Sequence, residues 1–339
     1  MDSNTFVVGP RMQPLDEELL QLVVCPRDKQ PLCRELDWLS CPSGHRYRIF
    51  EGIPILLVSE AEQTHHEGSR ALAVAEEGDT TELPQFQLGP GEIDPFVKEV
   101  IGATNGSLYE HLVGNLTEYP IPALRLPAGQ GRSFLEIGCN WGRWCVAAAQ
   151  SGYRAVGIDP SLKGILAGRR VAQQLGIHVS YLVADGRYLP FRDSSFDQIF
   201  SYSVLQHMSK VNVRSVLTES HRVLRNDGQC LVQLPNVFGV RCLYHEFRRG
   251  FREARDFEVR YWTIPELRRT LETALGPASV DVDGFFSLNA QVTDLRLFPW
   301  PYKVLVLLSH RLQQLSRHVP ALAYLADSLY VSASKSERP

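Results

Sequence analysis

The run from Phe134 through Leu135, Glu136, Ile137, Gly138, Cys139, Asn140 and Trp141 to Gly142, with Val156, Gly157, Ile158 and Asp159 following about twenty residues on, constrains the fold more than any other stretch. A short apolar run closed by a turn reads as a strand buried on both faces, and such strands belong to parallel sheets covered by helices. Gly138 and Gly142 give the backbone the freedom to turn tightly against a ligand, and Trp144 to Ala149 begins a helix whose first N–H groups lie beside that turn. Asp159 ends the second strand, where nucleoside-binding α/β folds place the carboxylate that accepts from a ribose diol.

The glycine spacing lacks the Gly-x-Gly-x-x-Gly pattern of pyrophosphate binders. The stretch instead resembles motif I of class I S-adenosylmethionine-dependent methyltransferases, with Glu136 at the acidic position and Asn140 replacing the middle glycine. Asparagine enters left-handed backbone more readily than most residues, so the turn is expected to survive. A third strand, Val179 to Ala184, ends at Asp185 and Gly186, the family positions that meet the adenine. The block from Leu189, Pro190 and Phe191 to His207 resembles the small-molecule branch of the family, because Ser201, Tyr202 and Ser203 stand where base- or amide-modifying enzymes carry Asn-Pro-Pro-Tyr or a Pro-Cys nucleophile. The resemblance implies S-adenosyl-L-methionine as cofactor, bound by Glu136, Gly138, Asn140, Gly142, Asp159, Asp185, Gly186, Ser201 and Gln206. His207, just past the fourth strand, is a candidate general base for a hydroxyl acceptor, with helix capping or packing as its bland alternative.

The expected fold is α/β: a seven-stranded Rossmann-like class I methyltransferase sheet with helices on both faces, spanning 95–339, plus a small β-rich N-terminal ribbon module over 1–58. Residues 59–94, rich in Glu, Gly, Thr and His and without apolar period, read as a linker. Insertions near 236–261 and 295–325 lie where the family builds a substrate lid. The first carries seven basic or histidine side chains among Glu246, Glu253, Asp256 and Glu258, which favours a salt-bridged solvated helix over an anion site. The second has an apolar stripe, Val304 to Leu315, that suits packing on the sheet, a greasy pocket or a membrane-surface face.

Within the first 58 residues, Cys25 with Asp28 and Cys41 with His45 sit at zinc-knuckle spacings. The segment Tyr47 to Leu57 resembles the Tyr-x-Ile-x-x-Gly-Ile-Pro-x-Leu-Leu signature of the small zinc-ribbon activators of tRNA, rRNA and release-factor methyltransferases, in which Asp28 takes the place of a second cysteine. A Cys25, Asp28, Cys41, His45 zinc site and a metal-free ribbon held by aliphatic packing both remain open.

The net charge of −3 and the absence of a long basic run give no footprint for a polyanion, so nucleic acid is disfavoured as partner. Seven cysteines with no secretion signal and no long apolar run favour reduced thiols and a cytoplasmic protein without a transmembrane segment; self-association is left open. The function expected is methyl transfer from S-adenosylmethionine to O, N or C of a small molecule, with an RNA methyltransferase and a non-catalytic S-adenosylmethionine-binding scaffold as rivals.

Overall fold

The structure, a computed structural model, describes residues 16–83, 88–89 and 91–336. The N-terminal part holds helix α1 (Glu17–Leu22) and strands β1 (Cys33–Glu35), β2 (Trp38–Ser40), β3 (Arg46–Phe50) and β4 (Ile53–Leu56), followed by helices α2 (His66–Glu77) and α3 (Pro95–Asn105). The larger part alternates β5 (Ser133–Ile137), α4 (Arg143–Gln150), β6 (Arg154–Asp159), α5 (Leu162–Gln174), β7 (Ser180–Ala184), β8 (Phe196–Tyr202), α6 (Lys210–Val223) and β9 (Leu224–Pro235). It closes with α7 (Val240–Arg248), α8 (Ile264–Ala274), β10 (Ala278–Gly284), α9 (Trp300–Ser316) and β11 (Ser328–Ser334).

Strands β7, β6, β5, β8 and β9 lie side by side in parallel, and the antiparallel pair β11 and β10 completes the seven expected strands. β5, at the centre, is buried along its whole length, as its uninterrupted apolar run requires. Chain order reverses between β5 and β8, and ligands bind at such a switch point beyond the carboxyl ends of the strands.

The sheet does not stop at seven strands. β4 pairs in parallel with β7, Ile55 opposite Val183 and Leu56 opposite Ala184, and the antiparallel strands β3, β2 and β1 continue it to eleven. The physical reason is the run Ile53, Pro54, Ile55, Leu56: buried at every position, it needs cover on both faces and a neighbour at its edge, and the free edge of β7 supplies that neighbour. The ribbon therefore shares the sheet of the larger unit.

The stretch read as a linker contains α2, begun by His65, whose side chain accepts from Glu67 N–H, and ended by Gly78 in left-handed conformation. Gly68, Ala71 and Val74 form its buried face; one apolar position per turn in a polar context leaves little period to read. Residues 1–15 of the expected ribbon module and 84–87 and 90 of the expected linker lie outside the described residues. No helix among the described residues is long and apolar enough to cross a membrane.

Candidate functional site

A cavity of about 610 Å³ opens at the carboxyl ends of the parallel strands. β5 delivers Ile137 and Gly138, the following turn Asn140, β6 Ile158 and Asp159, and β7 Ala184 before Asp185 and Gly186. Gly138 has φ 79°, and a Cβ there would overlap the Val204 methyl groups, so only glycine keeps the cavity floor. Asn140 sits at φ 45° with its side-chain oxygen accepting from Trp141 N–H at 2.9 Å, so the asparagine does hold the left-handed turn. A second cavity, of about 640 Å³, lies at the opposite strand ends beside Ser133, Arg154 and Phe196, and it holds none of the residues expected to bind the cofactor.

Asp159 is tied from two sides: Oδ2 accepts from Asn140 N–H at 2.9 Å and Oδ1 from Ser161 N–H at 2.8 Å. Burial raises its pKa to about 6, against the lowering effect of those two hydrogen bonds. The Asp185 carboxylate also borders the cavity, but it is engaged by Arg187, through the backbone N–H at 2.8 Å and the guanidinium at 2.6 Å. Arg187 Nε lies between the two oxygens, 3.2 Å from Oδ1 and 3.0 Å from Oδ2.

Glu136, Gly142 and Ser201 do not line the cavity. Glu136 is 2% exposed and its Oε2 accepts from Cys145 N–H in the first turn of α4 at 2.8 Å; burial lifts its pKa to about 8. Ser201 donates to the Ile137 carbonyl at 2.9 Å, and Gly142 at φ 76° begins α4 where a Cβ would strike the Tyr181 ring. Glu136 and Ser201 shape the turn from behind, with their side chains directed into the protein, and Gly142 stands at the start of α4.

Gln206 and His207 stand on the opposite rim. His207 Nδ1 lies 2.7 Å from the Phe257 carbonyl, an acceptor, so that nitrogen carries the proton and Nε2 is left as acceptor, 3.2 Å from Gln206 Nε2. Its ring stacks on Phe257 with centroids 4.0 Å apart, and burial lowers its pKa, which keeps it neutral.

Several lining residues carried no sequence signal: His65, His66 and Glu67 from the start of α2, and Phe96, Val100, Ala103 and Thr104 from α3. A polar N-cap cluster inside a supposed linker was the available clue. Phe257 is the contribution of the 236–261 insertion, whose arginines pair with acids as expected, Arg249 with Glu246 and Arg252 with Glu258 at 2.6 Å. The 295–325 insertion lines no part of the cavity; α9 turns its inner residues Val306, Ser309 and Gln313 onto the β10 side of the sheet.

In the ribbon, Cys25, Asp28, Cys41 and His45 converge, with one ligand atom from each all within 4.8 Å of one another. His45 Nδ1 is 3.4 Å from both sulfurs and 3.3 Å from Asp28 Oδ2, which in turn is 3.6 Å from Cys41 Sγ. With bonds of about 2.3 Å to sulfur and about 2.0 Å to nitrogen and oxygen, a tetrahedral ion has edges of about 3.3–3.8 Å, a range that holds these four distances, so the donor set fits zinc. Tyr47 reaches the Cys25 sulfur at 3.2 Å and receives Arg27 at 2.7 Å, a supporting layer of the kind that orients metal ligands.

Residues 135–232 match the family described as a methyltransferase domain. The chain is 31% identical over 111 residues to an uncharacterized methyltransferase of Synechocystis, covering 32% of this chain and 50% of that protein. It is 32% identical over 99 residues to a ubiquinone biosynthesis O-methyltransferase of Agrobacterium fabrum, covering 29% and 39%. A further 50 residues' match, 52% identical, covers 14% of this chain and 85% of a UPF0434 protein of Vesicomyosocius okutanii, so the chain also includes a segment of that family. The chain spans half or less of the length of the two methyltransferases.

Proposed function

We propose that this chain, whose residues 135–232 match a methyltransferase domain, is a class I S-adenosylmethionine-dependent methyltransferase that methylates a small molecule in the cavity at the strand ends. The observation that supports this reading is the convergence of Gly138, Asn140, Asp159 and Asp185 on one wall of a cavity whose other rim is His207. S-adenosylmethionine supplies an activated methyl group on a sulfonium. The glycine turn would lie against the nucleoside, Asp159 would accept from ribose hydroxyls, and Asp185, steadied by Arg187, would accept from the adenine amine. Apolar walls from Phe96, Val100, Val204, Met208 and Phe257 exclude water.

What remains for the protein is alignment of acceptor, methyl and sulfur in line, and removal of a proton where the acceptor is a hydroxyl. His207 takes that proton on Nε2, its Nδ1–H held by the Phe257 carbonyl. The ubiquinone O-methyltransferase among the relatives agrees with a metabolite acceptor. The ribbon's four ligands hold a structural zinc in this reading, with no open position for chemistry.

The test is formation of S-adenosylhomocysteine on incubation with S-adenosylmethionine and a fractionated metabolite extract, with and without nuclease. Turnover that survives nuclease supports the reading; turnover that requires RNA overturns it in favour of an RNA methyltransferase. With the acceptor in hand, His207→Ala is expected to lower kcat by about 10²–10⁴ while S-adenosylhomocysteine affinity stays unchanged.

A further inference from the structure

Helices α7 and α9 are inside out. On α9 the buried residues are Val306, Ser309 and Gln313, and Ser309 Oγ accepts from Phe285 N–H at 2.9 Å and returns to its carbonyl. The outward face, at helical spacing, is Trp300, Val304, Leu307, Leu308 and Leu315, each at least 43% exposed. On α7 the buried residues are Cys242 and Glu246, while Val240, Leu243, Tyr244 and Phe247 point outward. Both helices are tied to the segment that follows β10: Arg241 of α7 donates to the Phe286 carbonyl at 3.2 Å, and Ser309 of α9 accepts from Phe285 N–H at 2.9 Å. Water-soluble helices bury such stripes, so this face belongs against an apolar phase.

The charges say which phase. Between Leu297 and Ala326 there is no Asp or Glu, in a chain of net charge −3, yet Lys303, Arg311 and Arg317 lie there. Arg311 falls in the middle of the apolar stripe, and none of the three makes an ion pair among the described residues. Arg241 and Arg248 flank the α7 stripe: Arg241 donates to the Phe286 carbonyl, and Glu246, inside the helix, is taken by Arg249. A two-fold pairing of this face with itself would set these cations against one another without a counter-charge. Basic side chains around a Trp- and Leu-bearing face instead suit an anionic bilayer surface, with the apolar residues in the acyl boundary and the cations at the headgroups.

We propose that α7 and α9 form a docking face for an anionic membrane surface, on which the protein rests peripherally. The proposal is independent of the acceptor's identity. It places the cavity close to the bilayer, because the segment leaving α7 supplies Phe257 to the cavity wall.

The experiment is co-sedimentation of the full chain with phosphatidylcholine vesicles, with and without phosphatidylglycerol, together with tryptophan emission. At least tenfold tighter binding to the phosphatidylglycerol vesicles is expected, weakened by salt, with a blue shift absent from Trp300→Phe. The double variant Trp300→Ser, Leu308→Gln should lose at least tenfold in vesicle affinity while binding S-adenosylhomocysteine as the parent does, which certifies its fold. Equal affinity for both vesicle types, or undiminished binding by the double variant, overturns the proposal. So does a failure to bind vesicles accompanied by concentration-dependent dimerisation that the double variant abolishes, which would make the face a self-interface.

Discussion

Two buried carboxyl groups with raised pKa values act in different ways. Glu136, lifted to about 8 by burial, binds its proton more tightly folded than unfolded, so its contribution to stability is present at low pH and lost as pH rises through about 8. Glu136→Gln keeps an acceptor for Cys145 N–H and removes the titration, so its melting temperature should fall less between pH 6 and pH 9 than the parent's, as scanning calorimetry would show. Asp159, raised to about 6, follows the same sign for stability, but cofactor binding runs the other way. Ribose hydroxyls donate to the carboxylate, so binding favours the ionised form, and affinity for S-adenosylhomocysteine should fall as pH drops below about 6. Titrations near that pH in buffers of different ionisation enthalpy should reveal proton release on binding; an affinity flat from pH 5 to pH 8 would remove Asp159 from the site.

At the scale of elements, the joint between β4 and β7 couples the ribbon to the cofactor cavity, since the strand that receives Ile55 and Leu56 runs directly into Asp185. With zinc bound, the Cys25, Asp28, Cys41 and His45 cluster would stabilise the turns from which the ribbon strands are hung. About one zinc per chain is therefore expected by elemental analysis, lost in Cys41→Ser, with a lower melting temperature and weaker S-adenosylhomocysteine binding on removal by chelator. A full-length chain free of zinc, with unchanged melting after chelator, would favour the metal-free ribbon. Helix α2 belongs to the same coupling: Glu67 Oε2 accepts from Ser161 at 3.1 Å, fastening the cavity's outer wall to the turn after β6.

In the molecule as a whole, what was legible in the sequence was what local chemistry dictates. Buried strands announce themselves by apolar runs, as β5 and β6 do, and the residues at their ends, Gly138, Asp159 and Asp185, reach the cavity because a strand has one exit direction. Which face Glu136 and Ser201 present was not legible, because it depends on which neighbours enclose the sheet. The fusion of ribbon and sheet, and the walls from α2 and α3, were hidden because they are long-range pairings without a local period. The inverted faces of α7 and α9 were visible as stripes, but a stripe does not say which way it turns. The account as a whole requires an adenosyl group at the β5, β6 and β7 ends. The most direct measurement is calorimetric titration of the protein and of Asp159→Ala with S-adenosylmethionine and S-adenosylhomocysteine. The account predicts one site per chain for both ligands, weakened at least tenfold in the variant, which is about 1.4 kcal/mol or more. Absence of binding by the parent protein, or equal affinity in Asp159→Ala, would contradict it.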